Sequence, residues 1–408
     1  MKRQIVISAK TLFDGKGKKE NMTVVVEDGK IIDVMKKKLK SDYEGYVTPA
    51  IIDAHAHIGM DREGEPYQES ETNDTLSQIL PMNDPINSIY FDDRAFKDAV
   101  DFGVLYCCVV PGSGNVLGGK AKVIRNFAKY RDEAVIKDYG YKMALGYNPR
   151  STTDWKGERP NTRMGVYALL EKYFDDVITK KKKAELEKKK KEIELEQKKK
   201  DKKLSKTEYK KEIDLINEEY KLEFSGEEIA VLELLSGKKV AKVHVHRDDD
   251  VLYLIELVKK YNLKATADHT GDVYCKDTFD KLGKQNIPVV YGPLGSVGYK
   301  VELKHAYYQN TQILMKSKAF FGLMSDHPVI HTVTLRDTLK YFMIFGMKDY
   351  EAISLITYKN AKILGIEDKL GTIEKGKIAS LLVWNEHPLY LGAYPKIVIG
   401  EGKVLRKR

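Results

Sequence analysis

Short apolar runs separated by polar turns occur near both ends of the chain. In the first 48 residues, three such runs predict strands, and Asp28-Gly29 between the last two is typical of a tight hairpin turn. The pattern returns in residues 372–408, where Glu401-Gly402 marks a turn. The predicted strands are Gln4–Ser8, Met22–Glu27, Lys30–Val34, Ser380–Trp384, Ile397–Ile399 and Lys403–Arg406. We therefore expect residues 1–48 and 372–408 to form one small β-sandwich from both chain termini.

Between these ends, apolar β-rich runs alternate with helical patterns. Such alternation predicts a parallel sheet, and residues 49–371 are long enough for a closed barrel. The predicted strands are Val104–Val110, Lys142–Gly146, Ala241–Val245, Ala265–Ala267, Pro288–Tyr291 and Ala319–Met324, and the predicted helices are Arg94–Asp101, Val251–Lys260 and Asp349–Leu364. The sequence thus predicts an α/β fold with a (β/α)8 TIM-like barrel.

A lysine-rich segment, residues 178–224, interrupts the barrel pattern and reads as an inserted helical hairpin. Lys180–Lys203 consists almost wholly of good helix formers, and Ser205 and Glu208 have the spacing of a capping box that begins a second helix. Between Lys180 and Phe224 there are 17 lysines against 12 acidic residues, half of the net charge of +10. This is typical of a solvated face, with an electrostatic partner or oligomer contact as the alternative. The rest of the chain is close to neutral, so nucleic acid is not an expected partner.

Composition limits the class of protein further. No apolar run reaches 18 residues, so no membrane span is expected. Cys107, Cys108 and Cys275 are too few for a disulfide framework, which favours the reducing cytoplasm.

Ligand-type residues are concentrated where apolar runs end. Six of the nine histidines lie in four such runs, which end in His55-Ala56-His57, His244-Val245-His246, His269 and Asp326-His327. Side chains alternate along a strand, so His55 and His57 share a face. A (β/α)8 barrel gathers the carboxyl ends of its strands at one rim. Histidines and a carboxylate brought together there suit a divalent ion, with zinc expected and iron, manganese or nickel as alternatives.

With these runs, the sequence resembles the amidohydrolase superfamily, and within it the imidazolonepropionase-like amidohydrolases. The resemblance extends to Pro111–Gly119, Gly292-Pro293-Leu294, Ser325–Pro328 and Leu370–Val383. It implies that the terminal sandwich flanks the barrel and that His55, His57, His244 and Asp326 hold one ion. Asp326 would also accept the proton of the attacking water. His269 would polarise the substrate carbonyl or, with a second ion, become its ligand.

Two points about this centre stay open at the level of sequence. His244 and His246 share a face, so spacing does not choose between them, and the resemblance favours His244. Binuclear relatives carry a carboxylated lysine or a glutamate on a middle strand. The candidate strand, Lys142–Arg150, has no inward-placed lysine or glutamate at its end, so a single ion is expected.

The substrate is limited by one departure from these relatives. Deaminases and imidazolonepropionases have a proton-delivering glutamate where this chain has Arg247. An arginine there favours a small acidic substrate, bound through bidentate contact. The candidate substrate-binding residues are His246, Arg247, Arg150, Arg163 and, in the glycine-rich loop 112–119, Asn115. For Arg150 and Arg163 a plain salt bridge is the alternative.

The expected activity is hydrolysis of a non-peptide C–N bond by metal-activated water, in a cyclic amide, an amidine or an N-acyl amino acid. One alternative is a dipeptidase of the Xaa-Pro type. Another is a metal-free scaffold on the same fold, with the hairpin as its binding module. The resemblance also implies a homo-oligomer.

Overall fold

The computed structural model describes residues 4–152, 155–157, 159–201 and 203–408, and their strands form two sheets. The strands are β1 Ile5–Phe13, β2 Lys18–Glu27, β3 Lys30–Met35, β4 Tyr43–Pro49, β5 Ile51–Ala56, β6 Val104–Val109, β7 Leu117–Arg125, β8 Val135–Ala144, β9 Val240–Val245, β10 Ala265–His269, β11 Val289–Tyr291, β12 Phe321–Leu323, β13 Leu381–Trp384, β14 Pro395–Gly400 and β15 Lys403–Lys407.

Both ends of the chain contribute to a seven-stranded sheet with the order β15-β14-β13-β4-β1-β2-β3. Only the β1–β4 pair is parallel among its ladders. One apolar cluster draws on strands from opposite ends of this order, including Val24 of β2 and Ile399 of β14. The shared sheet follows the sequence pattern, whereas its two-layer sandwich form and the domain limits near residues 48 and 372 stay predictions.

The other eight strands, β5 to β12, follow one another in the second sheet in chain order. Their arrangement is a nearly closed barrel, but it is not wholly parallel: β7 runs antiparallel to both β6 and β8. The expectation of an all-parallel sheet is wrong at this strand. Only residues 110–116 connect β6 to β7, and so short a link allows an antiparallel pair, whereas a parallel crossover needs a dozen residues or more. The glycine-rich segment assigned to a loop includes the start of β7.

Side chains bridge the seam between β12 and β5. The amide of Asn360 donates to the carbonyls of Ile52 (2.6 Å) and Leu323 (2.7 Å) and accepts from the Leu323 N–H (3.0 Å). A Cβ at Gly322 would lie 2.0 Å from Asn360 Oδ1, so this approach requires glycine. Asp53 of β5 accepts from the Ser325 N–H at 3.1 Å. The barrel is therefore fastened where the strands bearing His55 and Asp326 meet.

Helices connect most barrel strands. The α-helices are α1 Arg94–Asp101, α2 Arg131–Ala134, α3 Tyr147–Arg150, α4 Arg163–Lys200, α5 Lys206–Leu222, α6 Gly226–Leu235, α7 Asp248–Tyr261, α8 Lys276–Lys284, α9 Asn310–Met315, α10 Lys340–Met343, α11 Asp349–Leu355 and α12 Tyr358–Ile363. Short 3-10 helices cover Tyr67–Glu69, Pro85–Asn87, Val301–Leu303 and Thr332–Leu339. Within the described part of the chain, no helix is both long and apolar enough to cross a membrane.

The lysine-rich insert forms the second half of α4 and the whole of α5. Helix α4 begins at Arg163, well before the expected start at residue 178, because its first turns bury Val166, Leu170 and Phe174. Beyond Lys180 most of its residues are exposed. Ser205 and Glu208 form the expected capping box at the start of α5.

Candidate metal centre

The first part of the centre lies at the carboxyl end of β5. His55 is fully buried, and His57 follows the last residue of the strand. The Nδ1 of His57 is 2.7 Å from the Val110 carbonyl, and the Nδ1 of His55 is 2.6 Å from Asp268 Oδ2. Both oxygens only accept, so each Nδ1 carries the proton. The Nε2 of each ring is therefore the atom that faces the centre and, in a neutral ring, can bind an ion.

Asp326 faces these two histidines. Its Oδ1 is 3.2 Å from His57 Nε2 and 3.5 Å from His55 Nε2. Burial alone would raise the pKa of Asp326, but the contact with His57 and the positive charge of buried Lys142 lower that pKa well below its usual range. The carboxylate is thus ionised at neutral pH, as a ligand or a proton acceptor must be.

Lys142 of β8 also reaches this position. Its side chain is fully buried, and its Nζ lies 3.1 Å from His55 Nε2. The expectation that this strand carries no inward-placed lysine is wrong. The expectation of a single ion, which was based on the absence of such a lysine, therefore loses its support. Burial lowers the pKa of Lys142 to about 8, and nearby Lys242 adds to the effect while Asp326 and Asp268 oppose it.

The second part of the centre consists of His244, His246 and His269. One nitrogen from each ring lies within 4.8 Å of the others, and His269 forms a similar group with His55 and Asp326. The rings of His244 and His269 are 4.1 Å apart. Burial holds the pKa values of all three histidines well below the usual range, and other positive groups lower them further. Neutral imidazoles result, the form that binds metals.

Backbone conformation supports a functional role for this rim. His269 and Asp326 have φ values of +77° and +54°, in the left-handed region. Aspartate and histidine tolerate this region better than most residues, yet it costs them energy. Such strain is concentrated at functional sites in proteins.

Sequence reasoning missed a carboxylate beside the second group. Glu302, from the 3-10 helix 301–303, is 2% exposed, and its Oε1 lies 3.6 Å from His244 Nε2 and 3.9 Å from His246 Nε2. It also pairs with Lys300 at 3.2 Å. Glu302 lies in an irregular stretch after β11, where no periodicity in the sequence marks it as inward-facing.

A second missed pair lies behind His55. Lys242 Nζ is 2.8 Å from Asp268 Oδ2, and both side chains are fully buried. Thr266 donates to the other oxygen of Asp268 at 2.7 Å. The lysine thus neutralises the carboxylate that orients His55. A signal was available, because Lys242 alternates with His244 and His246 on the same face of β9.

The cavity at this rim has a volume of about 210 Å³ and is lined in part by His246 and Asp326. The other candidate substrate-binding residues, Asn115 and the three arginines, are not among its described lining residues. Arg247 pairs with Asp249 at 3.2 Å.

The remaining candidates have protein partners. Arg163 pairs with Asp249 (3.1 Å) and Asp250 (2.8 Å), the salt-bridge alternative considered for it. The guanidinium of Arg150 lies 5.5 Å from the Tyr147 ring centre. Asn115 donates to the backbone carbonyls of Asp74 and Ser77, at 2.8 and 2.6 Å.

Comparisons with known proteins agree with this geometry. The model of the amidohydrolase family matches residues 240–404, which include β9, β10 and Asp326. A solved amidohydrolase from Thermotoga maritima MSB8 superposes with a TM-score of 0.84 at 28% identity, covering 99% of this chain and 100% of that one. In residues 240–404 and in its overall fold, the chain is thus similar to the amidohydrolases.

Two further proteins resemble this chain to different extents. Amidohydrolase tasK of Hapsidospora irregularis is 24% identical over 401 residues, and this match covers 91% of the chain but 38% of the relative. A solved Xaa-Pro dipeptidase with bound methionine has a TM-score of 0.56 at 15% identity, over 99% of this chain and 100% of that one. The second likeness shows the fold alone.

Proposed function

We propose that this protein is a metal-dependent amidohydrolase that cleaves a non-peptide C–N bond in a cyclic amide, an amidine or an N-acyl amino acid. The observation that carries the proposal is the convergence of buried imidazoles and the Asp326 carboxylate at one rim of the barrel. Similarity to amidohydrolases supports hydrolysis in general. The narrower bond class rests on the sequence motifs.

The chain's own donor atoms fit a divalent ion. Both ring nitrogens of His244 and His269, and Nδ1 of His246, are buried without a hydrogen-bond partner among the described residues. Leaving a buried polar atom unpartnered is costly, and an ion would remove that cost. Nitrogen and carboxylate donors suit zinc, with iron, manganese and nickel as alternatives.

The residues around the cavity supply the acid–base chemistry. A bound divalent ion lowers the pKa of water to about 7 and so supplies hydroxide at neutral pH. Asp326, ionised and in the cavity wall, accepts the proton of the attacking water and returns it to the leaving nitrogen. His269 is neutral and either donates a hydrogen bond to the substrate carbonyl or serves as a ligand.

We propose further that the centre holds two ions. His55, His57 and Asp326 would hold one, and His244, His246 and His269 would supply the ligands of the second. The amine of Lys142 would form an N–C bond to carbon dioxide and lose one proton, and the carbamate would supply further oxygen donors to the centre. The 3.1 Å distance from Lys142 Nζ to His55 Nε2 supports this role.

The metal content tests this arrangement. After reconstitution with zinc and bicarbonate, elemental analysis should give two ions per chain, and the Lys142→Met variant should hold at most one. With labelled bicarbonate, a carbamate carbon signal should be visible by NMR in the wild-type protein and absent from Lys142→Met. Lys359→Met, a change at a half-buried lysine of α12, should retain both ions. A count of one with bicarbonate would restore the single-ion centre, and a count of zero would favour a scaffold.

The activity itself is tested by screening the zinc-loaded protein. The panel contains cyclic imides, imidazolones, N-acyl amino acids and Xaa-Pro dipeptides. We expect turnover in one of the first three classes, abolished by a chelator and restored by zinc. Turnover of Xaa-Pro dipeptides alone would move the protein to the dipeptidase alternative, and inactivity on the whole panel would count against the proposed bond class.

A further inference from the structure

The cavity beside Asp326 and His246 has a wall rich in aromatic side chains. Three tyrosines of the segment between β11 and β12 line it, Tyr299, Tyr307 and Tyr308, together with Lys300 and with Tyr341 of α10. The first three are exposed by 66%, 58% and 47%. Large aromatic side chains left in water around a concave site are typical of a surface that binds an apolar group.

The size of the cavity limits that group. At about 210 Å³, it exceeds the roughly 150 Å³ of a cavity that accepts benzene. One aromatic ring with a short polar tail therefore fits. The Tyr308 and Tyr341 rings, 6.2 Å apart and inclined by 40°, present two differently oriented aromatic surfaces.

Lys300 gives the cavity a positive charge. It is the one lysine or arginine among the described lining residues, and its side chain is 8% exposed. Its ammonium contacts Asn148 Oδ1 at 3.0 Å and Glu302 Oε1 at 3.2 Å. Glu302 is not among the described lining residues and is also fixed by the Tyr147 N–H at 2.9 Å. An ammonium has three protons, so Lys300 has one left for a substrate.

We propose that this cavity binds an aromatic ring and a carboxylate of the same substrate, the ring against Tyr308 and Tyr341 and the carboxylate at Lys300. Resting on the proposed function, this narrows the substrate class to N-acyl derivatives of aromatic amino acids. The acidic group expected from Arg247 is retained, but its partner changes. Lys300 lines the cavity, whereas Arg247 pairs with Asp249 outside its described lining.

The test uses a probe without a scissile C–N bond, so that it does not depend on turnover. 3-Phenylpropanoate carries the ring and the carboxylate, propanoate lacks the ring, and 3-phenylpropanamide lacks the charge. Titration calorimetry on the full zinc-loaded chain should show 3-phenylpropanoate binding at least about 10-fold more tightly than either analogue, as expected for burying one ring or forming one charged hydrogen bond.

Variants assign each half of the probe to its residue. Tyr308→Ala should weaken 3-phenylpropanoate about 10-fold and leave propanoate unchanged. Lys300→Met should weaken both carboxylates about 10-fold and leave the amide unchanged. Tyr130→Ala and Lys304→Met, at exposed positions outside the described lining, are the matched controls and should change nothing. Circular dichroism checks that each variant is folded.

Two results would overturn the assignment. Equal affinity for 3-phenylpropanoate and propanoate would exclude an aromatic subsite. Unchanged carboxylate binding in Lys300→Met would mean that the metal, not the lysine, binds the acid. If the probe binds as expected but no panel compound is hydrolysed, the proposed function fails and the subsite stands. If hydrolysis occurs without aromatic preference, only the subsite fails.

Discussion

Asp326→Asn should lower kcat/KM by about 10³-fold, because the amide neither accepts the proton of water nor returns it to the leaving nitrogen. Asparagine has nearly the same shape, so the chain should fold normally. The measurement is steady-state kinetics on the compound identified by screening. The visible spectrum of the cobalt-substituted protein should change as well, since a carboxylate is lost near the ion.

Asp337 provides the control for this change. Its carboxylate pairs with Arg336 at the surface, at 3.2 Å. Asp337→Asn should therefore leave kcat/KM and the cobalt spectrum as in the wild type. An Asp326→Asn protein with nearly full activity would remove the aspartate from the proposed chemistry.

Lys242→Met should lower the free energy of unfolding by about 3 kcal/mol, because it leaves the buried carboxylate of Asp268 without its cation. It should also weaken zinc binding about 10- to 100-fold, because Asp268 loses the contact that fixes its position and so no longer holds the His55 ring in one orientation. Chemical denaturation measures the first effect, and competition with a chelator measures the second.

A double variant separates the effect of the Lys242–Asp268 pair on stability from its effect on zinc binding. The double variant Lys242→Met with Asp268→Asn removes the unpaired charge, so it should recover most of the stability but not the zinc affinity. Lys359→Met, where the ammonium lies 4.7 Å from the Phe321 ring, should alter neither. If zinc affinity returned in the double variant, the pair would serve stability alone.

Most barrel strands could be predicted from the sequence because they are short apolar runs with clear polar boundaries. The histidines of β5, β9 and β10 lie at the carboxyl ends of buried strands, and parallel strands bring those ends to one rim. Asp326 follows β12 in the same way. The grouping of these side chains was thus predictable from local patterns.

The inward-facing lysines were missed for a physical reason. A lysine in a strand is usually solvent-exposed, and Lys142 is buried in a strand that pairs it with Lys242, 100 positions further along the chain. Inside the barrel, Asp268 contacts both Lys242 and His55, so each of these buried polar groups has a partner. Pairing of this kind is a property of the tertiary structure, which a single strand's pattern does not carry.

Glu302 and Lys300 were missed because their loop has no repeating pattern. Their inward orientation comes from contacts with Asn148 and the Tyr147 N–H, in a different part of the chain. The reversed direction of β7 was also hidden, because the alternation of Lys120 and Lys122 with buried Ala121 and Val123 marks a strand but not its direction.

The seam between β12 and β5 has a consequence for how the protein matures. Strands β6, β7 and β8 pair with near neighbours in sequence, whereas Asp53 and Ser325, which join across the seam, are 272 positions apart. Closing so long a loop costs more entropy than pairing neighbouring strands. We therefore expect β6, β7 and β8 to pair early and the contacts between β12 and β5 to form late. The site that unites His55 with Asp326 is then complete only in the finished chain. Ion uptake there should follow folding, and a nascent fragment that ends before β12 should have no such site to fill.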